Sequence, residues 1–575
     1  MRVIATAGHF DHGKSTLIRR LTGMEPDRWA EERRRGLTID LGFAWTRIGG
    51  EEFAFVDVPG HERFVPNMLA GAGPVPAVLF VVAADEGWMP QSAEHLAALD
   101  AFGVEHGLLV VTKADRADPA AATAQASREI AATSLGEVAS VHVSGTTGQG
   151  LDELRAALEA VTATMPRPDT GADVRLWIDR AFTVRGAGTV VTGTLAEGTI
   201  ATGDELDLGG TRVKVRGLQA LGQARDRVEG VARVAVNLRG TPRGDAGRGD
   251  VLLTPGAWLG TAEIDVRLRP AAELPRELVL HLGAAAVPAR VRPLGKDAAR
   301  LTLARPLPVR VGDRGLLRDP GAHRISAGIS VLDVRPPSLT RRGAAKARAE
   351  ELAEPDLPRD YLRRNGFVPV TEFRAMGLPE VGERIGDWLA DPGRVARLRA
   401  EVPGVVAAWS RDHAVAAGMP VETLRRLLDL PSLDLVAPLL RDTGLELAGG
   451  LVSAPGAGLG PAVDRAVRAL EERFGTRPFH APEADELREL GLGRKELAAA
   501  VRLGRLTAIA DGVVLGPRAE ERAAAALAGV DQPFTVSQAR RALDSTRRVM
   551  IPLLERLDAL GLTEPRPDGT RHTTS

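Results

Sequence analysis

Near the start of the chain, Gly8-His9-Phe10-Asp11-His12-Gly13-Lys14-Ser15 has the residue types and spacing to hold a phosphate chain. It fits the pattern GxxxxGKS/T, directly after the run Val-Ile-Ala-Thr-Ala and directly before a helix-like stretch from Ser15 to Leu21. Backbone N–H groups of such a loop surround a β-phosphate, and the helix N-terminus adds positive potential. Lys14 then neutralises β- and γ-oxygens, and the Ser15 hydroxyl is placed to hold Mg²⁺. Asp11, His12, Gly13 and Thr16 complete the nucleotide-facing loop.

Further elements follow in chain order. Asp57-Val58-Pro59-Gly60 comes after the apolar run Phe53 to Val56, so a carboxylate at a strand end can reach Mg²⁺ through water while the Gly60 amide meets a γ-phosphate. Thr112-Lys113-Ala114-Asp115 follows Leu108 to Val111. There Asp115 can accept from N1–H and the 2-amino group of guanine, groups adenine does not offer, while the Lys113 stem covers the base. Ser144-Gly145 closes the base pocket. Thr38, in Gly36-Leu37-Thr38-Ile39-Asp40, can bind Mg²⁺ and the γ-phosphate only while GTP is intact, which makes the segment a switch. His61, directly after Gly60, stands where a side chain orients water toward the γ-phosphate, with Phe10 and Leu37 as apolar flanks of that approach. The catalytic candidates are thus His61, Thr38 and Lys14, and the metal candidates Ser15, Thr38 and Asp57.

These loops need elements to position them. Up to about residue 165, short apolar runs alternate with helix-like stretches such as Gln91 to Phe102, which predicts a parallel α/β sheet over residues 1–170, ending in the Pro-, Gly- and Asp-rich stretch Met165 to Asp173. From about 174 to 337, short valine-rich strands with glycine turns predict two β-barrels, at 171–257 and 258–338. Residues 345–575 turn largely helical, with repeated small modules of helices followed by two short strands, the layout of a winged helix, and a last module at about 519–575. In one of them Val463, Ala466, Val467, Leu470 and Phe474 share a helical face.

The 575 residues carry 74 Lys+Arg against 75 Asp+Glu, a formal charge of -1, so any nucleic-acid face has to be local. No cysteine occurs, which removes disulfides, thiolate metal sites and thiol nucleophiles and fits a reducing compartment. Neither a signal peptide nor a membrane-length apolar run is read, so the expectation is a cytoplasmic monomer.

The segments GHFDHGKS, RGLTID, DVPGHERF and TKAD, followed by a two-barrel region, resemble the translational GTPases of the elongation factor Tu family. Within it, RGLTIDLGFA, DRAFTVRGAGTVVTGTL and the long helical extension resemble the bacterial selenocysteine-specific elongation factors (SelB). That resemblance implies a GTP/GDP- and Mg²⁺-dependent GTPase that carries selenocysteyl-tRNA to the ribosome at recoded UGA codons and grips a hairpin in selenoprotein mRNA. Two positions depart from the usual pattern: Thr112 replaces the asparagine of NKxD, and Ser-Gly replaces Ser-Ala at 144–145.

In VRLWIDRAFTV the even positions Val174, Leu176, Ile178, Phe182 and Val184 predict one apolar face, and Arg180 shares their parity, with Asp179 as a possible partner. A charge on such a row is costly unless it is paired or meets an anion. Arg233 matches a family position facing the esterified amino acid. Asp179, Arg180 and Arg233 therefore form the candidate aminoacyl pocket, with a structural ion pair at a barrel rim as the alternative, and a bulge is needed if both 179 and 180 line it. At the C-terminus, Arg540, Arg541, Arg547, Arg548, Arg566 and Arg571 are the RNA candidates, Ser545 can cap a recognition helix, and Pro552 requires that helix to start later or kink. The competing readings are a general tRNA or initiation carrier, a sulfate-activation GTPase relative, and a winged-helix DNA regulator with a nucleotide sensor.

Overall fold

The computed structural model describes residues 1–26, 38, 40–61, 64–73, 75–185, 188–240, 246–413, 416, 418–454, 459 and 461–574. The chain forms two compact units, one of residues 1–361 with 368–381 and the other of residues 362–367 with 382–575.

The first unit opens with a six-stranded sheet of β1 (Arg2–Ala7), β2 (Gly42–Ile48), β3 (Glu51–Asp57), β4 (Ala77–Ala83), β5 (His106–Thr112) and β6 (Ser140–His142), in the order β2-β3-β1-β4-β5-β6. The apolar runs of the sequence fall in β1, β3, β4 and β5, which are parallel. Every residue of β4 is buried, as a central strand covered on both faces requires. One cover carries Leu17, Leu154 and Leu158 from helices Lys14–Thr22 and Leu151–Thr164. The other carries Met68, Leu96 and Ala126 from helices Val65–Ala72, Pro90–Phe102 and Ala120–Ala131. The sheet is not wholly parallel, however: β2 runs antiparallel to β3 at the edge. Its half-buried sequence GFAWTRI is apolar only from Gly42 to Trp45 before Thr46 and Arg47 break the run.

Strands between residues 175 and 253 close into a first barrel, because Glu205–Leu208 pairs both with Val251–Leu253 and with Thr211–Ala220. Six strands between Gly260 and Asp333 form a second closed barrel. In strand Arg175–Val184 the predicted apolar row holds only in part. Val174, Leu176 and Ile178 are buried, but Phe182 and Val184 are 43% and 40% exposed. The reason is a register shift between Ile178 and Arg180 against the neighbouring strand, which makes Asp179 the extra residue of a bulge and resets the alternation.

Helix Ala344–Ala353 is fastened to the second barrel by buried charge. Arg348 Nε donates to Asp265 Oδ2 at 2.8 Å and its Nη2 to Asp333 Oδ2 at 2.5 Å, while Arg300 Nε donates to Asp265 Oδ1 at 2.7 Å. Leu352 packs nearby with Leu294, Ala298 and Leu339.

In the second unit, helix Pro461–Thr476 buries Ala466, Val467, Leu470 and Phe474 as its spacing predicts, with Val463 partly buried against the same core. Helices Ala484–Glu489 and Arg494–Arg502 and the hairpin Thr507–Ala510/Val513–Leu515 follow. The same order recurs in helices Ala519–Leu527, Val536–Ala542 and Arg547–Ala559 with hairpin Thr563–Pro565/Arg571–Thr573. Among the described residues no helix is long and apolar enough to cross a membrane.

Removing one partner of a buried ion network leaves uncompensated charge and costs about 3–5 kcal/mol. Arg348→Ala, which removes the guanidinium shared by Asp265 and Asp333, is expected to lower the unfolding free energy of the first unit by that order, measured by equilibrium urea denaturation.

Candidate nucleotide site and arginine pocket

The loop motifs all sit at the C-terminal ends of the parallel strands, where open α/β sheets place their ligands. The phosphate loop leaves β1, Asp57 ends β3, Thr112 ends β5 and Ser144 follows β6. Lys14 is buried, and its Nζ donates to the carbonyls of Gly8 at 2.9 Å and His9 at 2.7 Å. A Cβ on Gly60 would lie 2.4 Å from Lys14 Nζ and 2.7 Å from the Phe10 backbone, so only glycine lets these segments approach.

Ser15 Oγ donates to Asp57 Oδ2 at 2.6 Å and lies 3.0 Å from Thr38 Oγ1, while Thr6 Oγ1 donates to Asp57 Oδ1 at 2.7 Å. Asp57 is fully buried. Burial pushes its carboxyl up, against the hydrogen bond from Ser15, the charge of Lys14 and the hydrogen bond from Thr6. Ser15, Thr38 and Asp57 thus converge as hard oxygen donors, a set that fits Mg²⁺. Thr6, which also accepts from the Val58 N–H at 3.1 Å, was not singled out in the sequence because a strand threonine looks like any other.

The His61 ring centroid is 5.9 Å from that of Phe10 and 6.0 Å from that of Phe64. Leu37, the other expected flank, lies outside the described residues, as do Gly36 and Ile39. Behind the loop His12 is buried, with Nδ1 3.2 Å from the Val81 carbonyl, and burial lowers its pKa to about 4. A neutral imidazole is therefore part of the loop's framework.

At the base end, Asp11, Gly13, Thr16, Thr112, Lys113, Asp115 and Gly145 line one cavity of 220 Å³. The hydroxyl of Ser144 holds the Asp115 carboxyl below its ordinary value. Lys113 Nζ is 2.6 Å from Glu86 Oε1 and 3.2 Å from Asp85 Oδ1. Thr112 Oγ1 donates to the His12 carbonyl at 2.7 Å, tying β5 to the phosphate loop.

Asp179, Arg180 and Arg233 come together on the first barrel, but not as paired in the sequence. Arg233 is the partner of Asp179: both its Nη1 and Nη2 donate to the carboxylate, Nη2 at 2.7 Å to Oδ1, and Thr192 Oγ1 donates to the same oxygen at 2.8 Å. Arg180 instead donates to Asp40 Oδ2 at 2.9 Å and to the Leu41 carbonyl at 3.2 Å. The bulge turns these neighbours toward different partners. The Phe43 ring lies 4.0 Å from Arg233 Cζ and 5.6 Å from Arg180 Cζ. Arg248 completes the cluster, with Nε donating to the Asp179 carbonyl at 2.8 Å, Nη2 to Asp40 Oδ1 at 2.6 Å and Nη1 to Asn67 Oδ1. Nothing in the sequence marked Arg248, one arginine among 68.

In the last module Arg540, Arg541, Arg547, Arg548 and Arg566 are exposed, whereas Arg571 is part-buried and donates to Asp558 Oδ2 at 2.9 Å. Arg548 also donates to the Pro482 carbonyl at 2.9 Å. The helix Arg547–Ala559 starts ahead of Pro552 and runs through it rather than starting later, and its N-cap residue is Thr546. Ser545 is not the cap: it is buried, and its Oγ donates to the Phe479 carbonyl at 2.6 Å, joining two modules.

Known proteins agree with this architecture. Residues 1–166 match the elongation factor Tu GTP binding domain, residues 261–338 the beta-barrel domain of selenocysteine-specific elongation factor, and residues 525–571 the winged helix of elongation factor SelB. The chain is 33% identical to the selenocysteine-specific elongation factor of Escherichia coli (strain K12), over 98% of this chain and 97% of that protein. It is 38% identical to that of Desulfomicrobium baculatum, over 65% of this chain and 63% of that protein. The crystal structure of a bacterial selenocysteine-specific elongation factor, EF-Sec, gives a TM-score of 0.77 at 26% identity, covering 100% of both chains. Elongation factor SelB from Methanococcus maripaludis in complex with the GTP analogue GppNHp gives 0.52 at 25% identity, covering 58% of this chain and 79% of that one. The chain belongs to the selenocysteine-specific elongation factors, and is a translational GTPase with elongation factor Tu-like GTP-binding and β-barrel domains and a C-terminal winged helix.

Proposed function

We propose that this GTPase carries selenocysteyl-tRNA to the ribosome at recoded UGA codons while its last module holds the selenoprotein mRNA hairpin. The observation that carries the reading is the charge of the barrel cluster. Among the described residues, three guanidinium groups, Arg180, Arg233 and Arg248, meet two carboxylates, Asp40 and Asp179. One positive charge is left over. A selenol is more acidic than a thiol or hydroxyl and is largely anionic at neutral pH, so a site with one surplus cation favours selenocysteine over cysteine and serine.

Hydrolysis follows from the loops of the nucleotide-binding sheet. Lys14 and the loop amides hold the β- and γ-phosphates, and Ser15, Thr38 and Asp57 would hold Mg²⁺, which supplies charge neutralisation between them. His61 orients a water whose oxygen attacks the γ-phosphorus; the bond to the β–γ bridging oxygen breaks, giving GDP and inorganic phosphate. Asp115, Lys113, Thr112, Ser144 and Gly145 select guanine. The exposed arginines of the last module suit phosphate contacts and stacking on splayed RNA bases. On the second barrel, exposed Arg276, Arg290 and Arg292 line a cavity of 880 Å³ and add a surface suited to the tRNA backbone.

His61→Ala is expected to leave GTP affinity near normal and to cut ribosome-stimulated hydrolysis by about 10² to 10⁴-fold, read as single-turnover phosphate release. Persistent stimulation removes the role given to His61. Binding of GTP-loaded protein to selenocysteyl-, cysteinyl- and seryl-tRNA, measured side by side, tests the cargo. Arg233→Ala is expected to reduce the preference for selenocysteyl-tRNA by about 1.5–3 kcal/mol, the worth of a charge-assisted hydrogen bond. At the other end, Arg547→Ala is expected to weaken hairpin RNA binding and lower the slope of log affinity against log salt by roughly 0.7–0.9. Tighter binding to the corresponding duplex DNA than to the hairpin contradicts the RNA assignment.

A further inference from the structure

The amino-acid pocket and the phosphate site are joined through Asp40, which pairs with pocket arginines but comes from the nucleotide-binding domain. Asp40 follows Thr38 by two positions, and Thr38 Oγ1 is 3.0 Å from Ser15 Oγ at the phosphate loop. In the same conformation the two oxygens of Asp40 are divided between the barrel arginines, Oδ2 to Arg180 at 2.9 Å and Oδ1 to Arg248 at 2.6 Å. Arg248 is held on a second segment as well. Its Nη1 donates to Asn67, on the helix that follows Asp57-Val58-Pro59-Gly60-His61, and its Nε grips the backbone carbonyl of Asp179, the carboxylate that orients Arg233. Phe43, at the start of β2, stacks beneath both Arg233 and Arg180.

We propose that Asp40 is a positioning residue that couples the nucleotide state to the cargo pocket: when Thr38 is docked at the phosphate site, Asp40 fixes Arg180 and Arg248 in their pocket positions, and when Thr38 leaves, both arginines lose that anchor. The proposal rests on the reading of the cluster as the selenocysteine pocket and adds its regulation. Two features of the geometry support it. Arg180 has no carboxylate partner on its own barrel among the described residues and pairs with Asp40 instead, so its guanidinium direction is set from the nucleotide-binding domain. Asp40 is also only partly exposed, at 22%, with its two oxygens divided between Arg180 and Arg248, so one side chain holds both guanidinium groups.

Coupling of this kind is a ratio of affinities. The test measures Kd for selenocysteyl-tRNA with protein loaded with a non-hydrolysable GTP analogue and with GDP, in wild type, D40N, R180M and the double variant. D40N keeps the shape and removes the charge. It is expected to lower the ratio of the two affinities by about tenfold or more, to keep GTP affinity within about twofold of wild type, and to add little to R180M, because both act through one contact. An unchanged ratio, an effect that adds fully to that of R180M, or a loss of GTP affinity each overturns the proposal. Seryl-tRNA in parallel separates the two levels: a wild type with no preference for selenocysteyl-tRNA overturns the functional reading and the coupling with it, whereas a selective wild type with an unaltered D40N ratio overturns the coupling alone.

Discussion

A charge removed from water has to be answered by partners within hydrogen-bond reach, and the centre of this molecule is organised by that constraint acting on Asp179. Its side chain is 3% exposed. Regular alternation along Arg175–Val184 would have turned this residue away from the apolar row; the bulge after Ile178 buries it instead, and Arg233, Thr192 and the neighbouring Arg248 close around it. Once Asp179 is buried and Arg233 committed to it, Arg180 has to find its anion elsewhere. Its partner among the described residues is Asp40, just ahead of β2. The barrel and the nucleotide-binding domain are in this way drawn together by the electrostatics of one misaligned residue.

The two departures from the usual guanine motifs have physical counterparts. A threonine hydroxyl offers one donor where an asparagine amide offers two, yet Thr112 uses it on the His12 carbonyl, and so preserves the link between the base-binding strand and the phosphate loop. At Gly145 an alanine Cβ would meet Thr16 Cγ2 at 3.0 Å, closer than ordinary contact. Arg20 adds to the same turn by donating to the Gly145 carbonyl at 2.6 Å. The loop is pressed against the first helix, and the small residue is what permits it.

What could be read from the sequence, and what could not, divides by distance along the chain. The nucleotide elements are local: each is a few contiguous residues, and all but the Thr38 segment stand at the end of an apolar run, so type and spacing were visible. The same holds for the helical face from Val463 to Phe474. The antiparallel edge strand Gly42–Ile48 was not visible, because a half-buried edge mixes polar and apolar residues without a clean period. Nor was the partner of Arg180, which is 140 residues away, or the contact of Arg248 with Asp40, 208 residues away. The adjacency of Asp179 and Arg180 suggested a pair that the bulge forbids. Ser545 misled for a similar reason: its type and position suit an N-cap, but its hydroxyl serves Phe479, 66 residues earlier.

In a chain where nearly every cation is arginine, the residue type says little about role, and the balance of charge around each guanidinium says more. At the second barrel Arg300 and Arg348 face the nearly inaccessible Asp265 and Asp333, and Arg348 Nη1 also donates to Glu351 on its own helix at 2.9 Å, so no positive charge is left over. Such a set is complete, and its work is to fasten the helix Ala344–Ala353. The cluster on the first barrel is built from the same two residue types with similar geometry, but it carries three cations to two anions among the described residues, and its members stay partly open to solvent, Arg233 at 12%, Arg180 at 23% and Arg248 at 32%. An uncompensated guanidinium held rigid by neighbours is poorly solvated and already oriented, which is the state in which it gains most from an arriving anion. The same chemistry therefore serves as a fastener where it is balanced and buried, and as a receptor where one charge is left over and a path to it remains.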